Sequence, residues 1–231
     1  MCLFPYLLNV PAKRPPELRQ PDDAVIFGFL GGSRDDKGFE RLLPIIRAVC
    51  ANPLFDKRRV RFIVQLDGAT EFAKKLIGEL TAGVSNLDVD VRFHEGTASA
   101  EQYAALLRQI HCLLLPYHTR QYGLSGSGIL YEALLDGKPF ICSSGLSFSE
   151  YARAGNAIEA EDDSAFAEAI LRIVNNLAPF VEAAESYAQE YHASLQHNVL
   201  VQRLQHRANE GSPPRVFACS SGQIPMISPG G

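Results

Sequence analysis

Six short apolar runs, separated by stretches of helical periodicity, constrain this chain more than any other feature in it. The runs lie at residues 24–30 (AVIFGFL), 60–66, 89–94, 112–115 and 139–142, with a shorter sixth at 157–160. A strand that is apolar along its whole length has both faces covered, and four to seven residues is a strand's length and not a helix's. Between the runs, helical patterns are predicted at about 39–50, 71–80, 100–109 and 129–135. Strands alternating with helices imply a parallel sheet with right-handed crossovers, helices on both faces, and an α/β, Rossmann-like doubly wound fold. Pro44 falls in the second turn of the first helical pattern, which predicts a late start or a kink there.

The ends of the chain read differently. Residues 1–23 carry Pro11, Pro15, Pro16 and Pro21 with charges between them, the composition of an extended linker. The domain is assigned to 24–208, closing with a helical segment made of a helix at about 165–175 and a long pattern at about 179–207. Residues 209–231, rich in Gly, Ser and Pro, are expected to form a flexible tail.

Composition excludes several classes. With 22 Lys+Arg against 26 Asp+Glu the formal net charge is -4, so no global attraction to nucleic acid exists. No stretch reaches the length of a membrane span, and the apolar N-terminus lacks the basic segment of a signal peptide, so membrane association is not indicated. The five cysteines are scattered, odd in number and without C-x-x-C spacing, which fits reduced thiols and a cytoplasmic location.

In a doubly wound sheet, ligands sit at the carboxyl ends of the strands. Two loops there carry the candidate chemistry. The first follows the 24–30 run: Gly31 and Gly32, then Arg34, Lys37 and Gly38. Two cations beside a glycine-rich turn suit a diphosphate, Arg binding in a fork and Lys as a point charge. A solvated loop with Asp35 and Asp36 neutralising the cations has the same composition. The second is the stretch YGLSGSGILYEALLDGKPFI, in which Ser125, Gly126, Ser127 and Gly128 lead into a helix. The first amides of a helix have no intrahelical partner and carry the positive end of its dipole, so small residues there leave room for a phosphate. Plain Ser capping, with a glycine ending the helix at Gly137, is the alternative. Glu132, about one turn into that helix, is a carboxylate able to accept from a ribose diol, or else an exposed helix glutamate.

Other chemistries lack their motifs. Asp88-Val89-Asp90 is formally D-x-D, but it opens a strand; His94 and Glu95 end that strand as an ordinary polar pair. No histidine has metal spacing with a carboxylate, no G-x-S-x-G surrounds Ser125 or Ser127, and neither a P-loop nor a G-x-G-x-x-G follows the first strand.

Taken in order, FLGGSRDDKGFERLLPII, VRFHEG and LLLPYHTRQYGLSGSGILYEALLDGKPFI resemble the C-terminal, donor-binding domain of GT-B glycosyltransferases, in the large retaining family that includes sucrose synthases. The resemblance spans about residues 24–170. It implies a single GT-B C-terminal-type domain, with residues 1–23 a linker or remnant of an N-terminal domain, acting as the donor half of a hexosyltransferase that binds a nucleotide-diphosphate sugar. It implies that Arg34 and Lys37 hold the diphosphate and stabilise it as leaving group, that Gly32, Ser125, Gly126, Ser127 and Gly128 line the nucleotide-sugar site, and that Glu132 holds the ribose. No metal or other cofactor is expected, and an acceptor-domain protein or a second copy of the chain is the implied partner. Glu132, Ala133, Gly137 and Pro139 fit the family's E-A-x-x-x-G-x-P frame, whereas the motif's first glutamate, eight residues before Glu132, is Leu124. A non-catalytic nucleotide-binding or assembly module is therefore the alternative, and a GT-B-like sugar-nucleotide epimerase a third.

Overall fold

The computed structural model describes residues 24–123 and 125–196. The linker at 1–23, Leu124, the helical pattern beyond 196 and the tail at 209–231 lie outside the described residues. The chain divides into two compact units, Met1–Ala193 and Ser194–Gly231. The sheet, its helices and the candidate site all belong to the first.

Among the described residues six strands form one sheet, every pair of neighbours parallel. They are β1 (Val25–Phe29), β2 (Val60–Leu66), β3 (Asp90–Glu95), β4 (Cys112–Leu115), β5 (Phe140–Ser143) and β6 (Ala157–Ala160). The order β3-β2-β1-β4-β5-β6 makes this a doubly wound, Rossmann-like sheet whose winding reverses between β1 and β4. The helices are α1 (Leu42–Ala51), α2 (Glu71–Val84), α3 (Ala100–Gln109), α4 (Thr119–Tyr122), α5 (Gly128–Leu135), α6 (Asp163–Asn175) and α7 (Leu177–Gln196).

Period-two alternation along the strands sorts the core onto two faces. Val25, Phe27 and Phe29 of β1 pack with Ile45 and Ile46 of α1, Leu76 and Leu80 of α2, and Phe166 and Ile170 of α6. Ile26 and Leu30 point the other way, into a cluster with Leu106 and Leu107 of α3 and with Leu130 and Leu134 of α5. Gly28, on that second face, stands where Ile110 fills the space: a Cβ there would lie 2.5 Å from the Ile110 side chain. Gly83 plays the same part on the first face, letting Leu43 approach to 2.4 Å from its Cβ position. That close contact accounts for α2 running to Val84, four residues past the predicted end.

The helix predicted at 39–50 begins late. Residues Asp35–Lys37 and Phe39–Arg41 form two 3-10 turns, and α1 starts only at Leu42. Pro44 is the cause: it has no N–H to donate back to residue 40, so it is tolerated only in the first turn, where amides have no intrahelical partner. Helix starts elsewhere are capped as their sequences allow. Thr70, Ser127 and Asp162 each accept an amide two or three residues on, and Ser99 with Gln102 forms a reciprocal capping box. Helix α5 stops at Gly137, whose φ of 60° admits the left-handed turn in which Gly137 N–H donates to Leu134 and Lys138 N–H to Ala133.

Candidate functional site

The switch between β1 and β4 opens a crevice at the carboxyl edge, and both loops singled out in the sequence border it. The β1 loop is pinned from below. Gln65, the one polar side chain buried in β2, accepts from Gly31 N–H at 2.8 Å, and the Ser33 hydroxyl accepts from Asp67 N–H at 2.9 Å. At its far end Gly38 adopts φ 68°, and a Cβ there would fall 1.9 Å from the carbonyl oxygen of Pro116, just after β4. Only glycine lets the two rims meet so closely.

The rims are also tied by side chains. Arg41 donates to Asp163 at 2.8 Å, to the Pro116 carbonyl at 3.0 Å and to the Ser143 hydroxyl at 2.9 Å, with its guanidinium 5.1 Å from the Phe166 ring centre. One residue thus joins the ends of β1, β4 and β5 and the start of α6. His118 N–H donates to the Asp36 carbonyl at 3.2 Å, and its ring meets Glu40 at 2.5 Å.

Lys37 is half-buried. Its ammonium lies 2.7 Å from the Cβ position of Gly31, which is also 2.6 Å from Cδ1 of Ile129, in the first turn of α5. The absence of a side chain at Gly31 thus lets both side chains approach the same point. Burial lowers the Lys37 pKa from its ordinary value and the Arg34 charge lowers it further, while Asp36 and Asp67 act against the shift. Among the described residues the Lys37 ammonium makes no hydrogen bond or ion pair, and the amides of Gly128 and Ile129 find no acceptor.

Arg34 is differently placed. Its guanidinium is engaged by both oxygens of Asp36, Nε to Oδ1 at 2.8 Å, and by the Tyr122 hydroxyl at 3.1 Å. The Asp36 hydrogen bond raises the Arg34 pKa; for Asp36, burial acts upward, but the bond and charge of Arg34 hold it below its ordinary value. Tyr122 packs at a tilt of 47° against the buried Tyr117, ring centres 4.5 Å apart. Gly32 stands beside Arg34 and Asp67, its Cβ position 3.5 Å and 3.7 Å from them.

On the opposite rim, Ser125 and Gly126 are exposed, and the Ser147 hydroxyl donates to the Ser125 carbonyl at 2.9 Å. Ser127 is buried; its hydroxyl caps α5 by accepting from Leu130 N–H at 3.4 Å and lies 3.3 Å from the Tyr117 hydroxyl. Its side chain is thus occupied with the helix start, which leaves the adjoining amides and not the hydroxyl for an anion. Glu132 lies deeper along α5, half-buried: burial raises its carboxyl pKa, opposed by the Tyr103 hydroxyl on α3. The structure brings Lys37 and the Gly128 end of α5 together at the crevice; Arg34 is turned toward Tyr122, and Glu132 toward α3.

Of the remaining motifs, Asp88 pairs with Lys57 at 2.6 Å, and Asp90 with Arg61 at 3.2 Å, at the amino end of β3 and away from the crevice. His94 and Glu95 do end β3 at the carboxyl edge. Among the described residues no three His, Cys, Asp or Glu side chains gather as metal ligands, and no helix is long and apolar enough to cross a membrane. Sequence reasoning passed over Gln65, Arg41 and Tyr122. A lone Gln inside the apolar run VRFIVQL was a usable signal, because a buried amide requires partners; Arg41 and Tyr122 carried none.

The six-stranded parallel sheet flanked by helices matches the fold of one Rossmann-like half of GT-B glycosyltransferases. The model of the glycosyl transferases group 1 family matches residues 24–176, and the chain belongs to that family. No curated protein matches it in sequence. Among solved structures it is similar to sucrose-phosphate synthase from Thermosynechococcus elongatus at 19% identity and TM-score 0.58, covering 84% of this chain and 47% of that one. It is similar to the C-terminal domain of a group 1 glycosyl transferase from Francisella tularensis at 13% identity and TM-score 0.56, covering 84% of this chain and 98% of that one. It is similar to an Anabaena protein crystallised with UDP-glucose at 17% identity and TM-score 0.59, covering 83% of this chain and 49% of that one. The chain thus spans about half the length of the first and third, and matches the isolated C-terminal domain of the second along nearly its whole length.

Proposed function

We propose that this chain is the donor-binding part of a group 1 glycosyltransferase, holding the diphosphate of a nucleotide sugar in the crevice between β1 and β4. The observation that carries this is the Lys37 ammonium, partly buried and without a partner among the described residues, set across Gly31 from the first turn of α5. A partly desolvated cation near a helix start whose first amides find no acceptor is stabilised by an anion bound beside both. The Anabaena neighbour, solved with UDP-glucose, supports a nucleotide sugar as the donor class. Departure of the diphosphate concentrates negative charge on its oxygens, and preorganised donors such as Lys37 and the α5 amides favour that state more than the ground state. Transfer then needs an acceptor site, which we assign to a further domain, a partner protein or a second copy of the chain.

Calorimetric titration with UDP, GDP and ADP tests the site. At least one is expected to bind, and Lys37→Ala to weaken it about tenfold or more, the loss of a charge-assisted hydrogen bond worth about 1.5–3 kcal/mol. No binding of any of the three at millimolar concentration would overturn the reading. A second reading, binding without transfer, is favoured by Leu124 at the place of the family motif's first glutamate. Release of free sugar from a nucleotide sugar by the purified chain excludes it.

A further inference from the structure

Arg34 and Lys37 lie three residues apart in one loop, yet among the described residues the Lys37 ammonium has no hydrogen-bond or ion-pair partner and the Arg34 guanidinium has two. The guanidinium of Arg34 is held along its Nε–Nη2 edge by both oxygens of the Asp36 carboxylate, and Nη2 also donates to the Tyr122 hydroxyl. The fork of an Arg matches a carboxylate and a phosphate equally well, so Asp36 occupies the face of Arg34 that a diphosphate would use. We infer that Asp36 is an internal stand-in for the ligand, holding Arg34 out of the anion site until a diphosphate takes its place. The inference rests on the donor-site reading above.

The surroundings suit an exchange of partners. The backbone of Asp36 is fixed: its carbonyl accepts from His118 N–H at 3.2 Å, and its own N–H donates to Asp35 Oδ1 at 2.8 Å. Only its side chain must turn away. Arg34 sits on the exposed rim, its side chain 55% accessible against 25% for Asp36, so separating the pair leaves the cation solvated and only the carboxylate partly buried until it turns outward. Asp36 also directly precedes Lys37 and acts on its charge. Without ligand, Asp36 therefore offsets the positive charge that would otherwise accumulate on this rim. Binding is correspondingly weakened, because part of the ligand's attraction is used in displacing the carboxylate.

The test uses inorganic pyrophosphate, the portion common to every candidate donor, followed through the amide resonances of Gly128 and Ile129. Asp36→Asn is expected to tighten binding about fivefold, in line with release of a pair of this exposure. Asp35→Asn removes the same charge from the neighbouring position without touching Arg34 and is expected to change affinity about twofold or less. In an Arg34→Ala background Asp36→Asn should lose its advantage over Asp35→Asn. Asp36→Ser, which also deletes the carboxylate and keeps both backbone bonds, should reproduce the gain. Equal effects of the two Asn variants, or an undiminished effect without Arg34, would overturn the inference while leaving the site intact. If neither the wild type nor Asp36→Asn binds pyrophosphate, the donor-site reading fails and the inference with it.

Discussion

At the scale of single residues, charge and solvent decide what the crevice does. Lys37 is withdrawn from water without a counter-ion of its own, and burial holds its pKa below the ordinary value. A bound diphosphate favours the charged form and raises that pKa again. The sign follows: affinity for a nucleotide diphosphate is full below the lowered pKa of the unliganded protein and declines as pH rises through it, earlier than an exposed lysine would dictate. Titrations across the alkaline range should show this decline, and Lys37→Arg, whose charge persists there, should remove it. Arg34 and Lys37 were visible in the sequence as a pair of cations. That Asp36 would engage one and leave the other was not, because both aspartates are equally near in sequence; the 3-10 turn at Asp35–Lys37 brings the second onto Arg34. Gly38 was equally opaque. Its left-handed φ of 68° ends the local 3-10 turn, but the lack of room for any side chain comes from the Pro116 carbonyl, far along the chain.

At the scale of elements, most of the architecture was legible and the reasons are local. Strands β4 and β6 fall where their apolar runs predict, and β3 and β5 are displaced by one residue. A buried parallel strand must be apolar throughout, so its limits are written in composition. What escaped was the irregular chain at the carboxyl edge: the paired 3-10 turns before α1, and helix α4 at Thr119–Tyr122, where no helical pattern is predicted. Those shapes depend on the Arg41 contacts, whose partners Pro116, Ser143 and Asp163 lie far from it in sequence. Arg41→Met keeps much of the side-chain volume but removes these bonds and leaves Asp163 unpaired. It is expected to cost about 1–2 kcal/mol in chemical denaturation, in line with losing hydrogen bonds from a charged group whose carboxylate partner is partly exposed. Nucleotide affinity should fall with it, since the clamp joins the two rims.

At the scale of the whole molecule, the site belongs to the sheet and not to any one motif. Lys37 comes from the loop after β1, the amides from α5 after β4, and the two meet because β1 and β4 are neighbours. A ligand that binds only this assembled state stabilises it by mass action. At a concentration of one hundred times its dissociation constant, a nucleotide diphosphate should add about 2.7 kcal/mol and raise the melting temperature by roughly 5–10 °C for a domain of this size. Differential scanning fluorimetry reads this directly, and Lys37→Ala should abolish most of the shift.

The reversal of winding between β1 and β4 also has a consequence for the order in which the fold is acquired. Strands β1, β2 and β3 follow one another along the chain, each separated from the next by one short connection and one helix, and pair as neighbours. The contact that closes the other side of β1 is of another kind: Ile26 N–H donates to the His111 ring at 2.8 Å across 85 residues of sequence. Loop-closure entropy rises with the length of chain enclosed, so pairings of long range are the slow ones. The first three strands can gather while β4 is still unpaired, and the crevice comes into being only when β4 arrives. A nascent or partly refolded chain with only this half-sheet formed holds Arg34 and Lys37 but lacks the α5 rim beside them.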